Sequence, residues 1–197
     1  MAKQDPWMDL LEAKGAILTG HFLLSSGRHS ERYVQCAKAL EHPKTASLLG
    51  QALAESFDMP IERVIAPPLG GLLIGYEVAR HLDVPFSFPE RGEDGALSFR
   101  RGFSLGAGER IAVIEDVITT GRTPRELLQL ARQMEAQPIA LGAIVDRSEA
   151  HHVGDLPICS LLRLEIPTFE AEACPLCQRG IPLRQPGSRD MNAQEAA

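Results

Sequence analysis

The chain has 197 residues, which is enough for one domain with its own hydrophobic core and a small appendage. It is 44% hydrophobic and 23% charged, an ordinary composition for a globular protein, and it contains no apolar run long enough to cross a bilayer. The net charge of −6 argues against nucleic-acid binding, which needs a basic face, but allows a small anionic ligand held by a local group of arginines. The N-terminus lacks the basic-then-apolar pattern of a signal peptide, so we expect a cytoplasmic protein without membrane or nucleic-acid partners.

The first predicted elements are a helix, two strands and a second helix. Helical spacing covers residues 5–17, with Asp5 as the N-cap and Pro6 at the first helical position. Residues 20–40 favour two short strands around a turn at Gly27. A helix is predicted over residues 42–57, with Pro43 near its start.

Strands and helices then alternate from about residue 63 to residue 147. The strand patterns are "RVIAP", "VPFSF", "RIAVIEDV" and a final "PIALGAIVDRS", and the helical patterns are "LLIGYEVARHL" and "PRELLQLARQMEA". This alternation predicts a parallel sheet with helices on both faces and a ligand site at the carboxyl ends of the strands. Residues 91–109 interrupt it with a glycine-rich, charged segment that we interpret as an arm or lid, and the tail from about residue 185 is polar.

The stretch "RIAVIEDVITTGRTPREL", residues 110–127, joins a buried strand, an acid pair, a hydroxyl-rich loop and a helix. Thr123 and Glu126 match a capping box, and Pro124 would be the first helical residue. The loop amides and the positive end of that helix would converge on an anion, for which phosphate is the usual occupant. The predicted phosphate loop is Thr119, Thr120, Gly121, Arg122 and Thr123.

The acid pair, Glu115 and Asp116, ends the same strand. Carboxylates would repel phosphate, but they suit the hydroxyls of a ribose and a positive charge that develops on a sugar ring. The string therefore indicates a phosphate at the loop and a sugar at the acids. The alternative is a plain strand–turn–helix unit whose acids are solvated.

"VIEDVITTGRT" resembles the phosphoribosyl pyrophosphate (PRPP) signature of the type I phosphoribosyltransferases, and two further strings are similar to the orotate enzymes of that family. These are "GHFLLSSGRHSERYVQCA" and "IVDRSEA", and the resemblance runs from about residue 10 to residue 189. It implies an α/β fold with a Rossmann-like core, a parallel sheet flanked by helices, and a small hood built from both termini. The expected domain is residues 1–184, with the core at about 43–148, the hood at about 1–42 and 149–184, and a polar tail at 185–197.

The resemblance also implies roles for individual residues. Glu115 and Asp116 would stabilise the ribose, while Thr119, Arg147 and Tyr33 would meet orotate. Arg147 offers a bidentate fork for a planar anion. Taken alone it would more often form a surface salt bridge with Asp146 or Glu149, and the neighbouring PRPP loop is what favours the orotate role. The residues expected at the diphosphate are Gly70, Gly71, Arg91, Arg100 and Arg101.

The implied reaction joins orotate and PRPP to give orotidine 5′-monophosphate and diphosphate. Mg²⁺ would be carried by PRPP, with no protein side chain assigned as its ligand, and the enzyme would be a homodimer with shared active sites. The alternatives are a phosphoribosyltransferase for a purine base and a non-catalytic PRPP-binding regulator. The regulator draws support from the absence of any lysine after Lys44, and from Ser25 at a place where the family commonly has lysine.

Four cysteines are present, and two of them, Cys174 and Cys177, form the spaced pair "CPLC". One such pair supplies two metal ligands, whereas a structural zinc site needs four. No second ligand pair is evident in the sequence, so a turn without metal is the favoured interpretation.

Overall fold

The computed structural model describes residues 5–24 and 26–186. The expectations about Ser25 and residues 187–197 therefore lie outside the described residues. In chain order the elements are α1 (Pro6–Ala13), β1 (Ile17–Leu23), β2 (His29–Val34), α2 (Ala37–Leu40), α3 (Pro43–Glu55), β3 (Arg63–Ile65), α4 (Gly70–Leu82), β4 (Phe86–Ser87), β5 (Pro89–Arg91), β6 (Leu97–Phe99), β7 (Arg110–Ile118), α5 (Arg122–Gln133), β8 (Gln137–Asp146), β9 (His152–Val153), β10 (Leu156–Arg163), β11 (Thr168–Phe169) and α6 (Pro175–Gln178).

A six-stranded sheet in the order β4-β3-β7-β8-β10-β9 forms the centre of the protein, and all its pairs are parallel except β10 with β9. Alternate residues of β7 bury on opposite faces: Ala112 and Ile114 join the core with α3 and α4, and Ile111 and Val113 join the core with α5. The predicted parallel sheet with helices on both faces is confirmed. Among the described residues, no helix is both long and apolar enough to cross a bilayer.

The strand series continues beyond the point that the sequence predicted. The pattern "PIALGAIVDRS" was expected to be the last strong strand, but β10 follows it and pairs in parallel with β8. β10 is only partly buried, so its sequence lacks the continuous apolar run of a central strand. A segment assigned to the hood therefore supplies a strand to the core sheet.

The hood is a second, three-stranded sheet in the order β1-β2-β11, and it draws on both ends of the chain as predicted. β1 and β2 form the expected hairpin, with Gly27 at a φ of 81° in its turn. Near the other end of the chain, Arg184 runs beside β1, where its N–H donates to the carbonyl of His21 and its carbonyl accepts from the N–H of Leu23, both at 2.8 Å. The predicted first helix is also present, with the Asp5 carboxylate accepting from the N–H of Trp7.

The predicted arm contains a short antiparallel hairpin of β5 and β6. Leu97 and Phe99 of β6 pack against the α5 side of the core, so the arm lies on that face of the sheet. Arg101, just after β6, is ion-paired with Glu90 of β5 at 2.7 Å. The hairpin therefore has its own apolar and charged contacts.

Candidate active site

A cavity of about 1970 Å³ opens at the carboxyl ends of β7 and β8, between the core sheet and the hood. The loop after β7 and the loop after β8 form one wall, and hood residues such as Arg28 and Tyr33 form the other. Carboxyl ends of parallel strands are the usual ligand position in such folds, because the strand-to-helix loops meet there. Of the predicted site residues, the structure brings six to this cavity: Tyr33, Asp116, Thr119, Thr120, Gly121 and Arg147.

The loop after β7 enters α5 earlier than the sequence predicted. Gly121, at a φ of 69°, is the N-cap residue, and the helix begins at Arg122 without a side-chain cap. The predicted capping box at Thr123 is therefore wrong, because the left-handed turn at Gly121 directs the chain into the helix two residues sooner. Pro124 still lies in the first turn, where a missing N–H costs no helical hydrogen bond.

Glu126, the other half of the expected capping box, instead accepts hydrogen bonds from Arg91 at 2.7 Å and from Arg122 at 3.0 Å. The bond from Arg91 is the main reason that the pKa of Glu126 is lowered. Arg122 points outward, with 82% of its side chain exposed, and neither it nor Thr123 lines the cavity. Arg125, one turn into the helix, is the cation that faces the phosphate loop.

The two acids of β7 occupy different environments. Asp116 lines the cavity, whereas Glu115 is buried in the sheet with 7% exposure, because successive side chains of a strand point to opposite faces. The N–H of Asp116 donates to Oε1 of Glu115 at 3.2 Å, and Oδ1 of Asp116 accepts from the N–H of Val117 at 2.8 Å. Burial raises the pKa of Glu115 well above its usual value, with a further contribution from the charge of Asp116, and burial also raises the pKa of Asp116. A cationic centre in the cavity would therefore relieve an unfavourable accumulation of negative charge.

Arg147 follows β8 and lines the same cavity as Asp116. Its N–H donates to the carbonyl of Ile118 at 2.8 Å, which fixes its backbone beside the end of β7. Within residues 5–24 and 26–186, its buried Nε has no hydrogen-bond partner. The alternative salt bridge to Asp146 is not formed, because Asp146 accepts from Ser148 at 2.7 Å and contacts Nδ1 of His151 at 2.7 Å. A buried guanidinium nitrogen without a hydrogen-bond partner is costly, so the arrangement favours an anionic ligand at this position.

Tyr33 of β2 approaches Arg147 from the hood. Burial raises the pKa of its phenol, the charge of Asp116 adds to that effect, and the charge of Arg147 opposes it. Burial in turn lowers the pKa of the Arg147 guanidinium, while the proximity of Tyr33 opposes that shift. Tyr33, Asp116 and Arg147 are thus close enough for the charge of one to shift the pKa of another. They surround a space with an anionic side at Asp116 and a cationic side at Arg147.

The two glycines at the start of α4 have different surroundings, and neither lines the cavity itself. A Cβ at Gly70 would lie 2.8 Å from Oδ1 of Asp116, so the absence of a side chain at Gly70 leaves room for this carboxylate. A Cβ at Gly71 would lie 2.7 Å from Cδ of Pro67 and 3.0 Å from the carbonyl oxygen of Ile114, so Gly71 is required by helix-to-strand packing. The expected approach of both glycines to a ligand thus fits Gly70 better than Gly71.

The arm arginines do not reach the cavity of their own chain. Arg91 pairs with Glu126 and Arg101 with Glu90, both at 2.7 Å. Arg100 is exposed and makes no ion pair within the described ranges. If these arginines contact diphosphate, the arm has to move or serve the site of another chain.

Several cavity residues were not singled out from the sequence. Arg28, within the quoted "SSGRHS" string, donates to Oγ1 and to the carbonyl of Thr168, both at 2.8 Å, and pairs with Glu170. Its position beside the family string was a usable signal. Gln35 and Ser148 also lie within the quoted strings "GHFLLSSGRHSERYVQCA" and "IVDRSEA". The remaining cavity residues lie outside those strings, where no local pattern predicts convergence: His151, Glu165 and Thr168.

Comparison with known proteins identifies the relatives of this chain. The model of the phosphoribosyl transferase domain matches residues 40–171. An orotate phosphoribosyltransferase of Caldicellulosiruptor bescii is 46% identical over 187 residues, which is 94% of this chain and 98% of that protein. An orotate phosphoribosyltransferase of Thermotoga maritima is 43% identical over 184 residues, 93% of this chain and 98% of that protein.

Solved structures with different base specificities share the fold. Orotate phosphoribosyltransferase from Aeropyrum pernix superposes with a TM-score of 0.67 at 24% identity, covering 79% of this chain and 92% of that one. Adenine phosphoribosyltransferase from Thermoanaerobacter pseudethanolicus gives a TM-score of 0.59 at 18% identity, covering 68% of this chain and 88% of that one. At these identities the likeness concerns the fold alone, which hosts more than one base specificity.

Proposed function

The chain belongs to the orotate phosphoribosyltransferases of the phosphoribosyltransferase family, and we propose that it transfers the 5-phosphoribosyl group from PRPP to orotate, giving orotidine 5′-monophosphate and diphosphate for UMP synthesis. The observation that carries the choice of base is Arg147, whose buried Nε has no partner among the described residues and which shares a cavity with Asp116 and the phosphate loop. Orotate is a planar anion with a carboxylate, which a guanidinium can bind through two parallel hydrogen bonds.

The phosphate loop holds the 5′-phosphate of PRPP in this proposal. Backbone N–H groups from Thr119 to Gly121, the hydroxyls of the two threonines and the positive end of α5 supply the hydrogen bonds and the charge. Arg125 adds a cation from the same helix. Arg122 and Thr123 contribute through the backbone at the helix start, since their side chains do not line the cavity.

The acid pair stabilises the sugar as the bond from C1′ to diphosphate breaks. The ribose ring then gains oxocarbenium character, and Asp116 presents a carboxylate to the cavity. Glu115 lies behind it and holds its backbone N–H. Because both carboxylates are disfavoured as anions in the unliganded protein, a developing positive charge is stabilised more strongly than it would be in water.

Orotate is held between Arg147 and Tyr33, with Thr119 at the start of the phosphate loop completing its pocket. N1 of orotate attacks C1′, and because orotate is already an anion, positioning rather than base catalysis provides most of the acceleration. Asp146 contributes to the positioning of orotate, because its hydrogen bonds with Ser148 and His151 order the turn that carries Arg147.

The diphosphate is the third ligand group. Mg²⁺ prefers hard oxygen donors, and the Asp116 carboxylate that lines the cavity is a donor of this kind, so the site fits the ion. Bound with PRPP, it would neutralise charge on the leaving diphosphate. Gly70 keeps the Asp116 carboxylate unobstructed, Gly71 supports it through packing, and Arg91, Arg100 and Arg101 supply cations from the arm of a second chain in a cytoplasmic homodimer with shared sites.

The direct test follows the loss of orotate absorbance with PRPP and Mg²⁺, with adenine, hypoxanthine, xanthine and uracil as competing bases. Consumption of orotate with release of diphosphate is the expected result. Turnover of a purine instead would overturn the choice of base while leaving the family intact. Binding of PRPP without turnover of any base would replace catalysis with a regulatory role.

A further inference from the structure

Four side chains that the proposed reaction does not use converge beneath the hood. His21 is on β1 and His29 is on β2, while Cys174 directly precedes α6 and Cys177 lies within it. One potential ligand atom from each lies within 4.8 Å of every other. About 150 residues of sequence separate the two histidines from the two cysteines, so no local pattern links them to "CPLC".

The distances resemble those of a tetrahedral metal centre. Nε2 of His21 lies 3.6 Å from Sγ of Cys174 and 3.7 Å from Sγ of Cys177. Sγ of Cys177 lies 3.2 Å from Nδ1 of His29, and the two histidine nitrogens are 2.9 Å apart. Zinc bonds of about 2.3 Å to sulfur and about 2.0 Å to nitrogen imply separations of roughly 3.3–3.8 Å between tetrahedral ligands, and these four distances lie within about 0.5 Å of that range.

Hydrogen bonding among the four groups does not account for the cluster. Nδ1 of His21 lies 2.7 Å from the carbonyl oxygen of Ile181, and since a carbonyl only accepts, Nδ1 carries the proton and Nε2 presents a lone pair. Three potential donors surround that single lone pair on Nε2 of His21: Nδ1 of His29, Sγ of Cys174 and Sγ of Cys177. A cation at the centre would be bound by all four lone pairs at once, and a backbone carbonyl on the second nitrogen is the usual orientation of a metal-bound histidine.

The burial of these side chains is an independent reason to expect a metal ion at the cluster. His21, His29 and Cys174 are buried, with exposures of 2%, 5% and 0%, and only Cys177 reaches solvent. Histidines are seldom buried this fully without a specific partner. Four nitrogen and sulfur ligands with no open position are typical of a structural zinc site.

We propose that His21, His29, Cys174 and Cys177 bind one structural zinc ion that fastens the C-terminal segment to the β1–β2 hairpin. Arg184 already pairs with β1, and Gln185 and Pro186 line the edge of the active-site cavity. His29 directly follows Arg28, another cavity residue. The ion therefore fixes the relative position of two hood segments that border the ligand, independently of which base the enzyme uses.

The test is the metal content of the full-length protein, purified under reducing, chelator-free conditions after growth with added zinc. About one zinc per chain is expected. Cys174→Ser and His29→Asn should lose it, whereas Cys159→Ser, which changes a half-exposed cysteine on β10, should retain it.

A second measurement uses only the unmodified protein, because ligand variants can fail to fold. Zinc is removed with a chelator under reducing conditions, and Co²⁺ is added to the metal-free protein. Absorption bands of tetrahedral Co²⁺ with thiolate ligands, and a melting temperature restored by either metal, are expected. Absence of bound transition metal together with absence of a Co²⁺ spectrum would overturn the proposal, as would a Cys174–Cys177 disulfide in the native protein.

Discussion

At the scale of single residues, Glu115 and Asp116 show how one strand gives neighbouring carboxylates different roles. Asp116 faces the cavity and Glu115 faces the sheet, where it accepts the N–H of its neighbour. Both have a raised pKa because both are buried. The pair thus concentrates negative charge in a buried position, which destabilises the unliganded protein.

Asp116→Asn should lower kcat/KM by about 100-fold or more, since it removes charge that stabilises the transition state. Steady-state kinetics with varied PRPP measure the loss. Asp155→Asn, which alters an exposed acid paired with Arg132, is the matched control and should retain activity. Near-normal turnover by Asp116→Asn would remove Asp116 from the ribose site.

The same variant should change how stability depends on pH. An acid whose folded-state pKa is raised contributes stability that is present below its unfolded pKa and lost as pH rises through its folded pKa. The wild-type acid pair therefore loses this stabilisation on the alkaline side, and Asp116→Asn removes one of the two repelling charges. The melting temperature of the variant relative to wild type should rise as pH increases from about 4, where the carboxyl groups of the unfolded chain ionise, into the neutral range. A difference that falls over this range would contradict the raised pKa values.

Arg147→Ala should raise the KM for orotate by about 10-fold or more, the typical cost of losing a charged hydrogen bond, and should change the KM for PRPP much less. Arg147→Lys should share most of the defect, because an ammonium cannot form the bidentate contact. Arg163→Ala, at the exposed end of β10, is the control. Equal increases in both KM values would place Arg147 outside the orotate pocket.

At the scale of elements, Gly70 and Gly71 at the start of α4 are expected to differ: one affects ligand binding and the other affects packing. Gly71→Ala forces a methyl group against Pro67 and the Ile114 carbonyl, and it should lower the free energy of unfolding by about 1–3 kcal/mol. Gly70→Ala meets only the carboxylate end of Asp116, so it should cost little stability but weaken PRPP binding. Denaturant unfolding and PRPP titration of both variants distinguish these effects, and a reversed pattern would refute the assignment.

At the scale of the whole molecule, the arm is proposed to serve the active site of a second chain. Its arginines lie outside their own cavity, and Arg100 is the one without an ion pair in the described part of the chain. If the arm serves a partner's site, Arg100→Ala and Asp116→Asn should each be impaired alone but should complement when mixed and allowed to exchange subunits. About a quarter of wild-type activity is expected, because half of the dimers are mixed and each has one intact site. Absence of complementation, with subunit exchange confirmed, would show that each site is built from a single chain.

Much of this organisation could be predicted from short patterns. The alternation of strands and helices predicted the parallel sheet, which the structure confirms, while the phosphate loop and the ribose role of the acid pair, predicted from "VIEDVITTGRT", stay predictions. The errors were local or long-range. The start of α5 depended on the left-handed turn at Gly121, and β10 was missed because a partly buried strand has a weak apolar pattern.

The sequence by itself determined the fold class and the family, because periodic burial and a compact loop motif are encoded by residues close together in the chain. Three features depended on the tertiary structure. Asp116 rather than Glu115 lines the cavity, Nε of Arg147 has no hydrogen-bond partner among the described residues, and His21 and His29 meet Cys174 and Cys177. These contacts join residues from separate elements, up to 160 positions apart for His21 and Ile181. Their formation depends on how the hood docks on the core, and no local pattern records that packing.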